Sequence, residues 1–96
     1  MQRDQALATI RSHRAELLDL GISSLAVFGS VARDTAGPAS DIDVLVEFKT
    51  PVGLFTFVRV QQHLESLLGC RVDLVTPEAI RPIMRERILA EATRAI

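Results

Sequence analysis

Asp41 and Asp43 stand one residue apart in a segment that is otherwise apolar and rich in β-branched residues, which predicts a strand over 41–48. A strand places residues i and i+2 on the same face, so the two carboxylates project side by side, about 6–7 Å apart along the chain. Carboxylates this close repel each other unless a cation compensates them. Mg²⁺ takes one or two carboxylates together with substrate phosphates, so the pair is a candidate magnesium site. An isolated Asp-x-Asp motif is, however, more often a turn acid followed by a partly exposed acid.

Asp73 interrupts a second apolar segment, 71–75, that also predicts a strand. If this strand lies beside the first, Asp73 joins the same cluster. Three acids on two adjacent strands could hold two metal ions, or hold one while the third acid activates an attacking hydroxyl. The alternative is an ion pair between Asp73 and an arginine such as Arg71.

Gly29 and Ser30 follow a short buried strand predicted over 24–28 and precede a predicted helical turn over 30–33. Backbone N–H groups at such a turn can point at an anion, and glycine lets a phosphate approach closely. Arg33 could add a cation that pairs with phosphate. The alternative is an ordinary turn that ends a strand, with Arg33 solvated. Together with the acids, the turn suits metal-assisted attack of a hydroxyl on a nucleoside triphosphate.

The elements that position these residues alternate between helices and strands. Gly21 and Gly69 are each predicted to end a helix. Thr50-Pro51 and Thr76-Pro77 are each predicted to begin one, with threonine as the N-cap and proline at the first helical position. The predicted order is helix 5–20, strand 24–28, helical turns 30–33, strand 41–48, helix 51–68, strand 71–75 and a helical region 77–96 broken at Arg81-Pro82. This order predicts an α/β fold, a two-layer sandwich of a small mixed β-sheet with helices.

Three further features complete this prediction. Residues 33–40 form a loop that is longer than usual. Glu47 falls on the same strand face as the aspartates, where it either supports the site or forms a salt bridge. Phe48, Phe55 and Phe57 are predicted to be core residues.

Composition limits the function classes. The chain has 96 residues, 48% of them hydrophobic, and a formal net charge of -1, which predicts one globular domain spanning 1–96 and argues against direct nucleic-acid binding. A single cysteine, Cys70, excludes an internal disulfide. No apolar run approaches the roughly 20 residues of a spanning helix, so we expect a cytoplasmic protein without a membrane segment.

At this point the sequence resembles a known family. Gly29-Ser30, ten residues, and then Asp41-Ile42-Asp43 are similar to the nucleotidyltransferase signature of the DNA polymerase beta superfamily. The wider pattern resembles its minimal nucleotidyltransferase (MNT) branch; it comprises residues 28–33, residues 40–48, Leu67-Leu68-Gly69, residues 72–77 and Ile88-Leu89.

The resemblance implies a polymerase beta-like nucleotidyltransferase fold and a set of roles. Asp41, Asp43 and Asp73 would be the catalytic, Mg²⁺-binding carboxylates, and Gly29, Ser30 and Arg33 would hold the triphosphate of ATP. The family further implies a partner, a helical HEPN-domain toxin, and an antitoxin activity that transfers AMP from ATP to a hydroxyl of that toxin.

Asp34 departs from the family pattern, which has glycine after the motif arginine. An acid near a triphosphate is electrostatically unfavourable if it points inward. An alternative function is therefore a non-catalytic antitoxin, a binding module that neutralises its partner by contact. A third alternative is nucleotidyl transfer to a small molecule such as an aminoglycoside, which the lack of a second domain disfavours.

Overall fold

The computed structural model of the chain describes residues 3–29 and 42–96. In chain order the elements are α1 (Arg3–Ser12), α2 (Arg14–Asp19), β1 (Ile22–Phe28), β2 (Ile42–Phe48), α3 (Leu54–Leu68), β3 (Val72–Val75), a 3₁₀ turn (Pro77–Ala79), α4 (Pro82–Glu91) and β4 (Thr93–Arg94). Helices and strands alternate through most of this order, as the sequence pattern predicts.

The four strands form one mixed sheet in the order β3-β2-β1-β4. β1 runs antiparallel to both β2 and β4, whereas β2 and β3 run parallel to each other. Parallel neighbours need a long crossover connection, and α3 provides it. The predicted α/β class with a small mixed sheet is therefore confirmed.

The hydrophobic core lies between the sheet and the helices α1, α2 and α3. Alternate residues of each strand face these helices, because side chains along a strand point in turn to opposite faces. The core cluster consists of Ala6, Leu7, Ile10, Leu17, Ile22, Leu25, Val27, Ile42, Val44, Val46, Val60, Leu64, Leu68, Val72, Leu74 and Ala95. The opposite side of the sheet, which we call the far face, carries the intervening residues, among them Asp43 and Glu47.

The first predicted helix is two helices, since the chain turns at His13. The Ser12 hydroxyl donates a hydrogen bond to the Thr9 carbonyl at 2.9 Å, and Nδ1 of His13 lies 2.9 Å from the same oxygen. Side chains that bind a backbone carbonyl in this way compete with the helical hydrogen-bond ladder. The prediction of one continuous helix over 5–20 is therefore wrong.

The long helix α3 begins later than predicted. The first helical hydrogen bond runs from the Phe57 N–H to the carbonyl of Gly53, so Gly53 is the N-cap and Thr50-Pro51 lies outside the helix. Gly69 ends the helix with φ +70, as predicted, because glycine adopts this left-handed conformation without a steric penalty. At 15 residues α3 is too short to span a bilayer, and within 3–29 and 42–96 no helix has the length and apolar character to do so.

The phenylalanine prediction is correct for two of the three residues. Phe48 and Phe57 pack against the core cluster. Phe55 is 92% exposed, because it lies in the first turn of α3 on the side away from the sheet.

The C-terminal region contains a strand that the sequence pattern does not show. Thr93 and Arg94 pair with Val27 and Ala26 of β1, and two residues are too few to display a period-two pattern. The Arg11 guanidinium holds this segment by donating to the carbonyls of Ala95 and Arg94, at 3.1 and 3.0 Å. The prediction of a helical region to the end of the chain is thus wrong beyond Glu91.

Candidate active site

Asp43 and Asp73 occupy paired positions on the parallel strands β2 and β3. Their neighbours Ile42 and Val44, like Val72 and Leu74, are buried in the core, so both carboxylates project from the far face. Asp43 is half-buried and Asp73 is exposed. The prediction that the strand of Asp73 lies beside that of Asp43 is confirmed.

Gly29 lies directly against Asp43. Its φ is +73, and a β-carbon built at this position would overlap Oδ2 of Asp43 and lie 3.2 Å from its Cγ. The register explains the proximity, since Phe28, the residue before Gly29, pairs with Asp43 across the antiparallel strands. Glycine is needed here for two reasons, the positive φ and the close approach of the carboxylate. The predicted phosphate turn therefore begins beside one of the predicted metal ligands.

Three predicted site residues, Ser30, Arg33 and Asp41, lie outside the described residues, and their roles stay predictions. Among residues 3–29 and 42–96, no group of three His, Cys, Asp or Glu side chains is arranged to hold a metal ion. Asp43 and Asp73 contribute two carboxylates, and the sequence supplies Asp41 one residue before the start of β2. This donor set consists of carboxylate oxygens, the ligand type that Mg²⁺ prefers. The residues therefore fit the magnesium ion that the resemblance implies.

Glu47 continues the row of side chains that Asp43 begins on the far face. One of its carboxylate oxygens accepts a hydrogen bond from the Ser24 hydroxyl at 3.2 Å. A cavity of about 370 Å³ lies beside it, between the far face of the sheet and the end of α4. The sequence predicts the face on which Glu47 lies, but the cavity depends on where α4 packs, which no local pattern predicts.

The two histidines, fifty residues apart in sequence, meet at Glu16 in the helical layer. His63 Nε2 lies 2.8 Å from Oε2 of Glu16, and His13 Nε2 lies 3.7 Å from its Oε1. This cluster joins α2 to α3 on the opposite side of the sheet from Asp43. It therefore stabilises the helical layer and takes no part in the candidate active site.

A sequence profile described as the nucleotidyltransferase domain matches residues 10–96. The chain belongs to the nucleotidyltransferase domain family. It is 43% identical over 76 residues to a candidate protein adenylyltransferase of Methanocaldococcus jannaschii, with 79% of this chain and 82% of that protein covered. It is 36% identical over 83 residues to the protein adenylyltransferase MntA of Thermococcus cleftensis, with 85% of this chain and 84% of that protein covered.

Solved structures show the same fold. A candidate minimal nucleotidyltransferase, 39% identical, superposes with a TM-score of 0.75 over 97% of this chain and 95% of its own. The complex of the tri-AMPylated Shewanella oneidensis HEPN toxin with an MNT antitoxin gives a TM-score of 0.66 at 18% identity, covering 94% of this chain and 71% of that one. The predicted family, fold and enzyme class, a nucleotidyltransferase, are confirmed by these likenesses.

Proposed function

We propose that this chain is a Mg²⁺-dependent protein adenylyltransferase that transfers AMP from ATP to a hydroxyl group of a partner protein. The observation that carries the proposal is the convergence of Gly29, Asp43 and Asp73 on one face of the sheet. The names of the two relatives support the same activity. The partner is proposed to be a HEPN-domain toxin, for which this chain serves as the antitoxin, as in the Shewanella oneidensis complex.

The transfer forms a bond between the acceptor oxygen and the α-phosphorus of ATP and breaks the bond from that phosphorus to pyrophosphate. In-line displacement requires the attacking and leaving oxygens to lie on opposite sides of the phosphorus. The strand order places β1, with Gly29, and β3, with Asp73, on opposite sides of Asp43. This order supports a reaction in which the phosphate chain lies toward Gly29 and Ser30 while the acceptor approaches beside Asp73.

Each proposed side chain has a role that follows from its position. Mg²⁺, held by Asp41 and Asp43 with Asp73 as the third carboxylate, would neutralise phosphate charge when bound. Asp73 is exposed and can take the proton that the acceptor hydroxyl loses. Arg33 would balance the charge of the leaving pyrophosphate.

The experiment that tests this function uses ATP labelled at the α-phosphate, Mg²⁺ and the protein encoded beside the gene for this chain. We expect label to appear on the partner with the parent chain and with the control variant Asp19→Asn, which removes an exposed charge from α2. Asp43→Asn should abolish labelling while leaving the fold intact. Unlabelled partner in the presence of the parent chain, under conditions where ATP binds, would contradict the proposal.

A second candidate function is neutralisation of the partner by contact alone. Two observations favour it, the replacement of the family glycine by Asp34 and the exposure of the apolar side chains Ile83 and Met84 on α4. The two functions differ in a cell-survival assay with the partner expressed. If Asp43→Asn protects the cells as well as the parent does, contact suffices; if protection is lost, transfer is required.

A further inference from the structure

The strand that carries Asp73 lies at an edge of the sheet, because the strand order is β3-β2-β1-β4. The outer side of an edge strand has backbone N–H and C=O groups that no neighbouring strand pairs. At Val72, the residue before Asp73, two side chains of α3 pair these groups. Nε2 of Gln61 donates to the Val72 carbonyl at 2.9 Å, and Oε2 of Glu65 accepts from the Val72 N–H at 3.0 Å. We call Gln61 and Glu65 the Val72 clamp.

The residue types of the Val72 clamp match the groups that they hold. Gln61 and Glu65 are four residues apart on α3, so their side chains lie next to each other on one face of the helix. The amide of glutamine can donate to a carbonyl, whereas an ionised glutamate can only accept from an N–H group. Both hydrogen bonds are partly buried, where a backbone group left without a partner is costly.

The Val72 clamp acts on the backbone immediately before Asp73. The Val72 carbonyl and the Asp73 N–H belong to one planar peptide unit, so the bond from Gln61 fixes the plane that leads into Asp73. On the inner side of the strand, the Arg71 carbonyl accepts from the Ile42 N–H at 3.0 Å. The Val72 side chain is buried in the core, whereas Asp73 is exposed. The position of the Asp73 carboxylate therefore depends on the backbone that carries it.

We propose that Gln61 and Glu65 are positioning residues for AMP transfer. They hold the backbone of β3 so that the Asp73 carboxylate lies beside Asp43, where it can take the proton of the acceptor hydroxyl. The proposal rests on the proposed function and adds to it two residues of α3, outside the strands that carry the carboxylates. Both residues act through Asp73 and not on the substrate.

Two reciprocal substitutions test the clamp in the transfer reaction. Glu65→Gln keeps an oxygen that can accept from the Val72 N–H, so we expect kcat to stay close to the parent value. Gln61→Glu places a carboxylate against the Val72 carbonyl, so kcat should fall roughly tenfold or more, with little change in the KM for ATP. The control Gln62→Glu makes the same exchange at the exposed neighbouring position and should keep the parent kcat.

Amide hydrogen exchange measured by NMR tests the clamp in the chain alone, without ATP or Mg²⁺. Exchange at Val72 should stay at the parent rate in Glu65→Gln. In Glu65→Ala, which removes the acceptor, it should be on the order of tenfold faster. Equal exchange at Val72 in these two variants would overturn the clamp.

A double-mutant cycle distinguishes positioning of Asp73 from a general loss of structure. Once Asp73→Asn has removed the carboxylate, Gln61→Glu should lower kcat no further. Glu65→Ala replaces Gln61→Glu in the cycle if the latter variant does not fold.

Two outcomes of these kinetic experiments would overturn the positioning role. One is an unchanged kcat in Gln61→Glu, and the other is an equal further loss of kcat in the Asp73→Asn background. In both cases a parent chain that transfers AMP leaves the proposed function in place. A parent chain that binds ATP but transfers no AMP to the partner would overturn the proposed function and, with it, this inference.

Discussion

Gly29 lies against the carboxylate of Asp43 so closely that a β-carbon on Gly29 would overlap Oδ2 of Asp43. Gly29 directly follows β1 and Asp43 is the second residue of β2, and the antiparallel register that pairs Phe28 with Asp43 brings them together. The glycine that follows β1 is therefore also part of the surroundings of a proposed metal ligand. Its replacement should affect the candidate site as well as the backbone.

Gly29→Ala should both destabilise the protein and impair AMP transfer. Alanine in the left-handed region costs roughly 1–2 kcal/mol, and the added β-carbon must also displace the Asp43 carboxylate. A displacement of about 1 Å at a reacting centre can lower the rate on the order of a hundredfold. Thermal unfolding and the labelled-ATP assay measure the two effects separately.

Gly69→Ala is the matched control for this prediction. Gly69 has almost the same φ, +70, but a β-carbon there would meet nothing within 4 Å. We expect a similar loss of stability with no change in transfer. If both variants reduce transfer equally, the effect of Gly29→Ala arises from backbone strain, and the contact of the added β-carbon with Asp43 does not contribute to the loss of transfer.

Much of the architecture can be predicted from the sequence because strand periodicity and the glycine that ends a helix are local patterns that the fold obeys. The apolar runs around Asp43 and Asp73 are strands. The aspartates within them face away from the core because alternate residues of a strand point to opposite faces, and their neighbours are buried. Gly69 ends α3 because its conformation is set locally. A helical crossover is compatible with parallel neighbouring strands, but the register that pairs Asp43 with Asp73 is given by the structure and does not follow from the sequence.

Other features depend on tertiary packing and could not be predicted. β4 has two residues, and its position is fixed by β1 and by Arg11, which lies more than eighty residues away in the chain. The meeting of His13 and His63 at Glu16 depends on how α2 packs beside α3. The cavity next to Glu47 likewise exists because α4 returns over the far face.

Asp73→Asn should lower transfer and leave the fold intact. The side chain is exposed, so its replacement by a neutral isostere costs little stability. Loss of a positioned proton acceptor typically lowers a rate by about 10²–10⁴-fold. Steady-state kinetics should show this loss in kcat, with a smaller change in the KM for ATP. A kcat equal to that of the parent would exclude Asp73 from the chemistry.

Leu64→Ala should be strongly destabilising. Leu64 is fully buried in the core between α3 and the sheet, and removal of such a side chain costs about 2–5 kcal/mol through lost burial and the cavity that remains. Leu54→Ala in the same helix is the control, since Leu54 is 74% exposed and its truncation should change stability by less than about 0.5 kcal/mol. Urea denaturation of both variants gives the comparison, and equal midpoints would contradict the assigned core.

Arg11→Met should loosen the pairing of the last strand with β1. The guanidinium of Arg11 donates to the carbonyls of Ala95 and Arg94, while the amides of Ala95 and Ile96 donate to the carbonyl of Leu25. Methionine keeps the aliphatic length but removes both donors, a loss of about 1 kcal/mol for partly exposed bonds. Local opening would then speed amide exchange at Ala95 and Ile96 roughly fivefold.

Hydrogen exchange measured by NMR distinguishes this effect from a simple change of charge. Arg14→Met removes the same charge from the neighbouring helix α2, beside the same end of the chain, but Arg14 donates no hydrogen bond to residues 94–96 in the described structure. We therefore expect exchange at Ala95 and Ile96 to remain at the parent rate in that variant. Equal acceleration in the two variants would mean that positive charge beside residues 94–96, rather than the pair of hydrogen bonds from Arg11, keeps the fourth strand in place.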